Sequence, residues 1–141
     1  MAEVTYPRLQ QAVLDAVDAR GLADFYRELL GLRYRPGDEA PPAGEPDPNG
    51  GDWLVLLDDD GNRALAFQSV DELRRATWPE PAVPQQLHLD LTVPDAAELE
   101  HQKERALSLG ATLLLDRSDD PDEELCVFAD PEGHPFCIFV A

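Results

Sequence analysis

Residues 11–18 read QAVLDAVD, and residues 88–95 read HLDLTVPD. Each stretch alternates as a β-strand does and ends on an Asp, which can cap a following helix by accepting backbone N–H bonds. In both copies an apolar helical stretch follows and stops at a glycine, Gly31 in the first and Gly110 in the second. A repeat of this length predicts one structural unit used twice, with equivalent positions of the two copies opposite each other around a shared site.

The residues after each repeat predict the same order of elements in both halves. One apolar stripe at helical spacing marks the first helix: Leu22, Phe25, Tyr26, Leu29 and Leu30. The second helix begins at a capping box, Asp95 with Glu98, and runs to about Leu109. Short apolar runs bounded by turns predict strands at 9–17, 32–35, 53–57 and 64–70 in the first half and at 85–93, 111–115, 125–129 and 135–140 in the second.

Each half is therefore predicted to be a β-α-β-β-β module of an α+β fold. Module one covers about 9–70 and module two about 85–141. The residues between them, 71–84, are predicted to be a linker, of which 71–76 are compatible with one short helical turn. With 141 residues, the chain 1–141 fits a single domain with one core.

The charge balance argues against several classes of partner. The chain carries 11 basic and 29 acidic residues, for a net charge of −18, whereas nucleic acid and anionic membranes attract basic surfaces. No apolar run approaches the length of about 18 residues that indicates a transmembrane helix, and the N-terminus lacks the pattern of a signal peptide. We therefore expect a cytoplasmic protein, with Cys126 and Cys137 as reduced thiols rather than a disulfide.

Residues 36–51 contain five prolines, four glycines and four acidic residues, with almost nothing apolar. This composition predicts a long exposed loop. By its position the loop resembles a lid, while its composition is typical of mobile surface. Both interpretations stay open at this point.

Strand alternation gives the repeated strands one apolar and one polar face. Gln11 and Asp15 share a face in the first copy, and His88 and Asp90 share the equivalent face in the second. The apolar faces should pack against the helices. The polar faces would then either contact solvent, as antiparallel sheets commonly do, or line a ligand-binding cup.

Several motifs carry a family resemblance. They are LADFYRELLGL at 22–32, AFQ at 66–68, HLDL at 88–91, LGA at 109–111 and DPEGHPFC at 130–137. They resemble the vicinal oxygen chelate superfamily, and within it the short glyoxalase-like proteins, over nearly the whole chain except the loop at 36–51. The resemblance implies two β-α-β-β-β modules that form a cupped mixed sheet with helices on its outer face.

In that superfamily the cup of the enzymes holds a divalent metal, bound by His, Glu or Gln from the first and last strands of the modules. The resemblance places Gln11, Gln68, His88 and Cys137 at those positions. Gln11 stands where His is common and Cys137 where Glu is usual, so one imidazole is flanked by two neutral amides and a thiol. Because a catalytic metal needs two or three strong ligands, we predict no metal ligands and no tightly bound cofactor, with a divalent metal as the alternative.

The remaining site predictions concern the polar face. His88 with Asp90 is predicted as a catalytic acid–base pair, since imidazole titrates near neutrality, although a histidine hydrogen-bonded to Gln11 or Gln68 fits equally. Asp15 is either a surface acid or a ligand-binding carboxylate in the cup. Trp53 and Phe139 lie at strand positions that face the same way as the predicted site residues, so they would give the cup an aromatic lining. Ordinary core packing is the alternative. Two other histidines, His101 and His134, are predicted to be exposed.

Three functions follow. In the first, the chain binds a small organic molecule in the cup without chemistry, as the antibiotic-resistance members of the superfamily do, and forms a homodimer. The second is a metal-dependent lyase or dioxygenase, or a metal-free enzyme that uses His88 and Asp90. The third is a subunit whose sheets serve mainly assembly. The carboxylates of the cup favour a cationic or polar ligand.

Overall fold

Two four-stranded mixed sheets, each carrying one helix, form residues 3–141, the part of the chain that the computed structural model describes. Sheet one contains β1 (Ala12–Ala16), β2 (Arg33–Tyr34), β3 (Trp53–Leu57) and β4 (Arg63–Ser69), with helix α1 (Ala19–Leu30). Sheet two contains β5 (Leu89–Val93), β6 (Thr112–Arg117), β7 (Leu125–Ala129) and β8 (Pro135–Val140), with helix α2 (Ala96–Leu109). The predicted α+β fold of two β-α-β-β-β modules is confirmed.

The strands run in the order β1-β4-β3-β2 in sheet one and β5-β8-β7-β6 in sheet two. In each module the first strand pairs in parallel with the last, and the remaining pairs are antiparallel. A parallel pair needs a long crossover, which each module supplies with its helix and two intervening strands. Neither helix in residues 3–141 is long and apolar enough to cross a membrane.

The helix ends follow the predicted signals. Asp18 accepts a hydrogen bond from the Gly21 N–H at the start of α1, and Gly31 ends that helix in the left-handed conformation, with φ of 67°. Asp95 accepts the Glu98 N–H in the same way. The capping box is only half formed, because the Glu98 carboxylate accepts a hydrogen bond from the Gln102 amide one turn further on.

Three other local predictions are wrong. β1 begins at Ala12 rather than at residue 9, so Gln11 precedes its strand. β5 begins at Leu89 rather than at residue 85, so His88 precedes its strand. Leu89 pairs with Phe136, and Pro135, the preceding residue of β8, has no N–H with which to extend the ladder. Residues 71–76 form no helix, because a single isolated turn gains too few hydrogen bonds to offset its nucleation cost.

Both helices share one hydrophobic core with both sheets. Leu14 and Ala16 of β1 are buried in it, while Asp15 between them is exposed, so the predicted alternation of β1 is confirmed. Helix α1 reaches module two through Phe25, whose ring lies 5.8 Å from that of Phe136. The helix-bearing faces of the two sheets therefore belong to the core, and the polar faces point away from it.

A buried hydrogen bond also joins the modules. The Tyr26 hydroxyl on α1 donates to Asp130 in the β7–β8 turn, with an O–O distance of 2.7 Å, and only 1% of Asp130 is exposed. The other Asp130 oxygen accepts the N–H groups of Glu132 and His134. Burial raises the pKa of Asp130, and the Tyr26 hydrogen bond opposes that shift.

The same turn covers the outer edge of β1. The Glu132 carboxylate accepts the Val17 N–H, and the Nε2 atom of His134 lies 2.7 Å from the Asp15 carbonyl oxygen. His134 is therefore half-buried at the contact between modules rather than the exposed turn residue that the sequence indicated. His101 is exposed on α2, as predicted.

The loop at 36–51 is held against the rest of the molecule by Arg20 and Asp38. The Arg20 guanidinium donates two hydrogen bonds to Asp47, at 2.8 and 2.9 Å, and one to the Asp38 carbonyl at 2.6 Å. The Asp38 carboxylate, itself buried, accepts the Val55 N–H at 2.9 Å. The loop is thus fastened to α1 and to β3, although most of its residues are exposed.

We predict that Tyr26→Phe lowers the free energy of unfolding at pH 7 by about 1–3 kcal/mol, because Asp130 would lose a donor while it stays buried. Urea denaturation measures the change. Tyr34→Phe is the matched control: its hydroxyl bonds to Asp24 at a half-exposed position, where water can replace it, so its loss should be smaller. Equal losses in the two variants would contradict this role for Tyr26.

We predict that Arg20→Gln accelerates amide hydrogen exchange at Gly50 and Val55, because both amides donate to the aspartates that Arg20 organises. The hydrogen bond from Arg20 lowers the pKa of Asp47 to about 2, from an ordinary 3.8. The stabilisation that this hydrogen bond gives to the folded state is therefore complete when the pH is above 3.8, the ordinary pKa of an aspartate. It is lost as the pH falls through about 2. Arg27→Gln removes ion pairs with Asp24 and Glu28 and a cation–π contact with Tyr34, none of which involves the loop, so it should leave both amides unchanged.

Candidate functional site

Three polar side chains meet at the start of β5 in module two. His88 Nε2 lies 3.2 Å from the Asp90 carboxylate, with 45% and 56% of the two side chains exposed. Parallel pairing of β5 with β8 sets Asp90 beside Cys137. The imidazole, carboxylate and thiol each have a donor atom within 4.8 Å of the others. The structure thus brings together three of the residues that the sequence predicted for the site.

The Cys137 thiol is in its protonated form at neutral pH. Desolvation by burial raises its pKa first, and the negative charge of Asp90 and a hydrogen bond to that carboxylate raise the pKa further. The residue is a poor nucleophile in this setting. His88, Asp90 and Cys137 therefore resemble a binding cluster more than an activated-thiol centre.

A cavity of about 200 Å³ adjoins this cluster. Its walls are Trp78, Gln85, His88, Val127, Pro135 and Cys137. The side-chain oxygen of Gln85 is buried and has no hydrogen-bond partner in residues 3–141. A buried amide oxygen without a donor costs stability, so a donor from water or from a molecule in the adjoining cavity would relieve that cost.

A second cavity, of about 260 Å³, lies between β1, the linker and the β7–β8 turn. Its polar side chains are those of Asp15, Arg74, Gln85, Gln86, Glu132 and His134. Gln85 and Pro135 line both cavities, so the two adjoin. The inter-module linker therefore lines both cavities, and residues of both modules line the larger one.

Module one contributes a separate row of residues. Gln68 of β4 is exposed and is flanked in the sheet by Asp15 of β1 and Trp53 of β3. The floor of this face is apolar, since Val55 and Ala66 are fully buried. The row supplies a carboxylate, an amide and an indole on one surface.

The predicted quartet is only partly assembled. His88 and Cys137 lie together, but within the described part of the chain no hydrogen bond joins Gln11 or Gln68 to either of them. The Gln11 side-chain oxygen is buried without a partner. The alternative in which His88 is a structural histidine hydrogen-bonded to one of these glutamines finds no support, because its partner is Asp90.

The two predicted aromatic residues lie on the polar faces but outside the two cavities. Phe139 is half-buried and stands between Thr92 of β5 and Leu125 of β7. Trp53 is half-buried at the rim of sheet one. Neither residue lines the cavities of about 200 and 260 Å³. The aromatic side chain that lines the smaller cavity is Trp78, rather than Trp53 or Phe139.

Sequence reasoning missed Trp78 and Gln85. Trp78 lies in the predicted linker 71–84, where no periodicity indicates which way a side chain points. Gln85 is the first residue of the predicted strand 85–93, which in the structure begins only at Leu89. Composition gave one signal, and it concerns Trp78. A tryptophan close to Pro79 and Pro81 in an otherwise polar stretch is unusual for a connection that is exposed to solvent. Trp78 is half-buried against module two.

The comparisons with known proteins agree on one architecture. A family model described as a glyoxalase-like domain matches residues 11–139, and no curated protein matches the chain. A glyoxalase/bleomycin resistance protein/dioxygenase family enzyme from Burkholderia phytofirmans PsJN is similar, with a TM-score of 0.64 and 15% identity over 93% of this chain and 96% of its own.

Two further solved structures have the same fold. A fosfomycin resistance protein from Mesorhizobium loti has a TM-score of 0.63 and 14% identity, covering 98% of this chain and 94% of its own. A lactoylglutathione lyase from Agrobacterium tumefaciens has a TM-score of 0.59 and 19% identity, covering 95% and 93%. At these identities the likeness concerns the fold.

We predict that Asp90→Asn speeds alkylation of Cys137 by iodoacetamide at pH 8, in protein treated with a chelator. Removing the carboxylate charge lowers the pKa of Cys137 toward its ordinary value, which increases the thiolate fraction. Cys126→Ser serves as the background, because Cys126 is buried with its pKa raised to about 11. Asp15→Asn, the matched change in sheet one, should leave the rate unaltered; equal rates in both variants would contradict the Asp90–Cys137 contact.

Proposed function

Since the chain belongs to the glyoxalase-like family of the vicinal oxygen chelate superfamily, we propose that it binds a small organic molecule in the cup between its modules. The observation that carries the proposal is the pair of adjoining cavities that share Gln85 and Pro135. Small-molecule sites are concave, with a few polar groups that converge on the ligand. Here those groups come from both modules and from the linker.

The polar groups select for a hydrogen-bond donor with positive or neutral charge. Gln85 offers a buried carbonyl oxygen without a partner. Asp15 and Glu132 add two carboxylates to the larger cavity against the single cation of Arg74, and Asp90 lies beside His88 of the smaller one. The net charge of −18 attracts cations over longer distances. A small amine or amide whose apolar part packs on Trp78 matches these walls best.

We propose that binding does not depend on the metal set that is usual in the superfamily. Gln11 and Gln68 are neutral amides, which leave the charge of a divalent ion uncompensated. His88 and Asp90 then act directly on the ligand: the carboxylate holds Nε2, and the imidazole donates or accepts a proton at its other nitrogen, Nδ1. Any chemistry on the bound molecule would be proton transfer by this pair.

The second candidate function is a metal-dependent lyase or dioxygenase. One observation favours it: the nitrogen, oxygen and sulfur donors of His88, Asp90 and Cys137 lie close together. These donors all come from module two, so a metal held there would be open on the side of the cavity lined by Trp78 and Gln85.

We also propose a homodimer. The polar row of module one and the cluster of module two both lie on sheet faces directed away from the common core, with Gln68, Asp90 and Thr92 exposed. A second copy that covers these faces would enclose a ligand that a single chain leaves open to solvent. Analytical ultracentrifugation across a concentration range tests the dimer independently of ligand binding.

We predict that, with a chelator present, a thermal-shift screen of small polar amines and amides finds compounds that raise Tm, since a ligand bound only by the folded state stabilises it. Gln85→Leu should weaken binding of the best compound about fivefold, the equivalent of losing one hydrogen bond of about 1 kcal/mol. Gln10→Leu, an exposed residue outside both cavities, is the control. The proposal fails if no compound shifts Tm under these conditions.

A further inference from the structure

We propose that the larger cavity binds a small zwitterion, an amine that also carries a carboxylate, of about the size of a free apolar amino acid. Asp15 and Glu132 receive the ammonium group, and Arg74 receives the carboxylate. The inference rests on the proposed function, since it names the class of molecule that the cup takes. It involves neither a metal ion nor the cluster at the start of β5.

Arg74 brings a positive charge to a wall of the cavity that is otherwise acidic. Within residues 3–141 no hydrogen bond and no ion pair engages its guanidinium group. An arginine presents its N–H donors as a planar fork, which matches the two oxygens of a carboxylate. The side chain is therefore available to a carboxylate on a bound molecule.

The next residue along the chain fixes the position of Arg74. Arg75 donates a hydrogen bond from Nη1 to the Pro131 carbonyl oxygen at 2.7 Å. Its side chain also packs on Gly133, where an added Cβ would lie 2.9 Å from the Arg75 Cβ. These contacts fasten the linker to the β7–β8 turn, so Arg74 lines the same cavity as Glu132 of that turn.

Contacts between the modules position the two carboxylates. The Glu132 carboxylate accepts the Val17 N–H through Oε1, and no donor of residues 3–141 engages its other oxygen. Asp15 is exposed on β1, and its carbonyl oxygen lies 2.7 Å from Nε2 of His134. The turn of module two and the first strand of module one therefore place one carboxylate each around the cavity.

Three acceptors without partners match the three N–H groups of a primary ammonium ion. Two are the carboxylates of Asp15 and Glu132, and the third is the side-chain oxygen of Gln85, which is buried without a donor in residues 3–141. An ammonium group has three donors and no acceptor. It can therefore donate to all three groups at once, which a secondary amide with its single N–H cannot do.

The signs of the charges favour a zwitterion over a simple amine or a simple acid. A simple acid would meet two carboxylates, and a simple amine would cover Arg74 without giving it a partner. Covering a charge without a partner is costly. A molecule with one group of each sign gives every charge that it covers an opposite partner.

The size of the cavity and its remaining walls suit a short apolar side chain. The volume is about 260 Å³. At roughly 30 Å³ for each water molecule in the liquid, this space corresponds to about nine non-hydrogen atoms, the size of leucine. Leu73, Ala76 and Leu87 supply apolar surface around it, so leucine is a suitable probe.

The test compares three compounds that share one apolar part and differ in charge. Leucine carries both charged groups, leucinamide lacks the carboxylate, and N-acetylleucine lacks the ammonium group. Each is titrated calorimetrically into the full-length protein in the presence of a chelator. We expect leucine to bind at least about fivefold more tightly than either derivative, the loss expected for one ion pair at a partly exposed site.

Variants assign the two ends of the ligand. Arg74→Gln should weaken leucine binding at least about fivefold and make leucine and leucinamide bind equally. Arg117→Gln is the matched control, because it removes the same charge from an exposed arginine outside both cavities, and it should keep the preference for leucine. Glu132→Gln retains an acceptor for the Val17 N–H, and it should weaken leucine and leucinamide alike without weakening N-acetylleucine.

The outcomes separate this proposal from the proposed function. The proposal is overturned if leucinamide binds the unaltered chain as tightly as leucine, or if Arg74→Gln keeps the preference for leucine while its circular dichroism and Tm are unchanged. It is also overturned if leucine does not bind but another amine or amide raises Tm, a result that leaves the proposed function standing. If neither leucine nor any amine or amide binds, the proposed function fails together with it.

Discussion

In each module the first strand pairs in parallel with the last, and this pairing determines which side chains lie together at the candidate site. In sheet two this pairing sets Asp90 beside Cys137, and in sheet one it sets Asp15 beside Gln68. Parallel neighbours cannot be joined by a short turn, so each helix must cross one face of its sheet and bury it. On the opposite faces, which carry no helix, polar side chains of the first and last strands lie side by side.

Local signals were sufficient to predict the elements and the direction of the strand side chains. Asp18 and Gly31 mark the ends of α1 because capping depends on residues within one turn. His88 and Asp90 meet because side chains two apart on an extended chain share a face. The family resemblance grouped Cys137 with His88, but the contact of Cys137 with Asp90 was not predicted, because it depends on the pairing of β5 with β8, which no local pattern contains.

The rest of the site depends on contacts between distant residues. The path of the linker, which brings Trp78 and Gln85 against module two, is set by packing and by three prolines rather than by any periodicity. The attachment of the loop to α1 depends on Arg20, which lies 27 positions from Asp47. The start of β5 depends on Pro135 in another strand, which is why the predicted strand was too long at its N-terminal end.

The two modules keep one backbone plan but place different chemistry on it. Sheet one offers amides and an indole, and sheet two offers an imidazole, a carboxylate and a thiol in mutual contact. Two amide oxygens, those of Gln11 and Gln85, are buried without partners in the described residues, at a cost of about 1–3 kcal/mol each if they stay unpaired. A stable domain tolerates such a cost where a bound group supplies the missing donors. The two orphaned acceptors therefore support the proposal that a molecule which donates hydrogen bonds binds on the polar side of this fold.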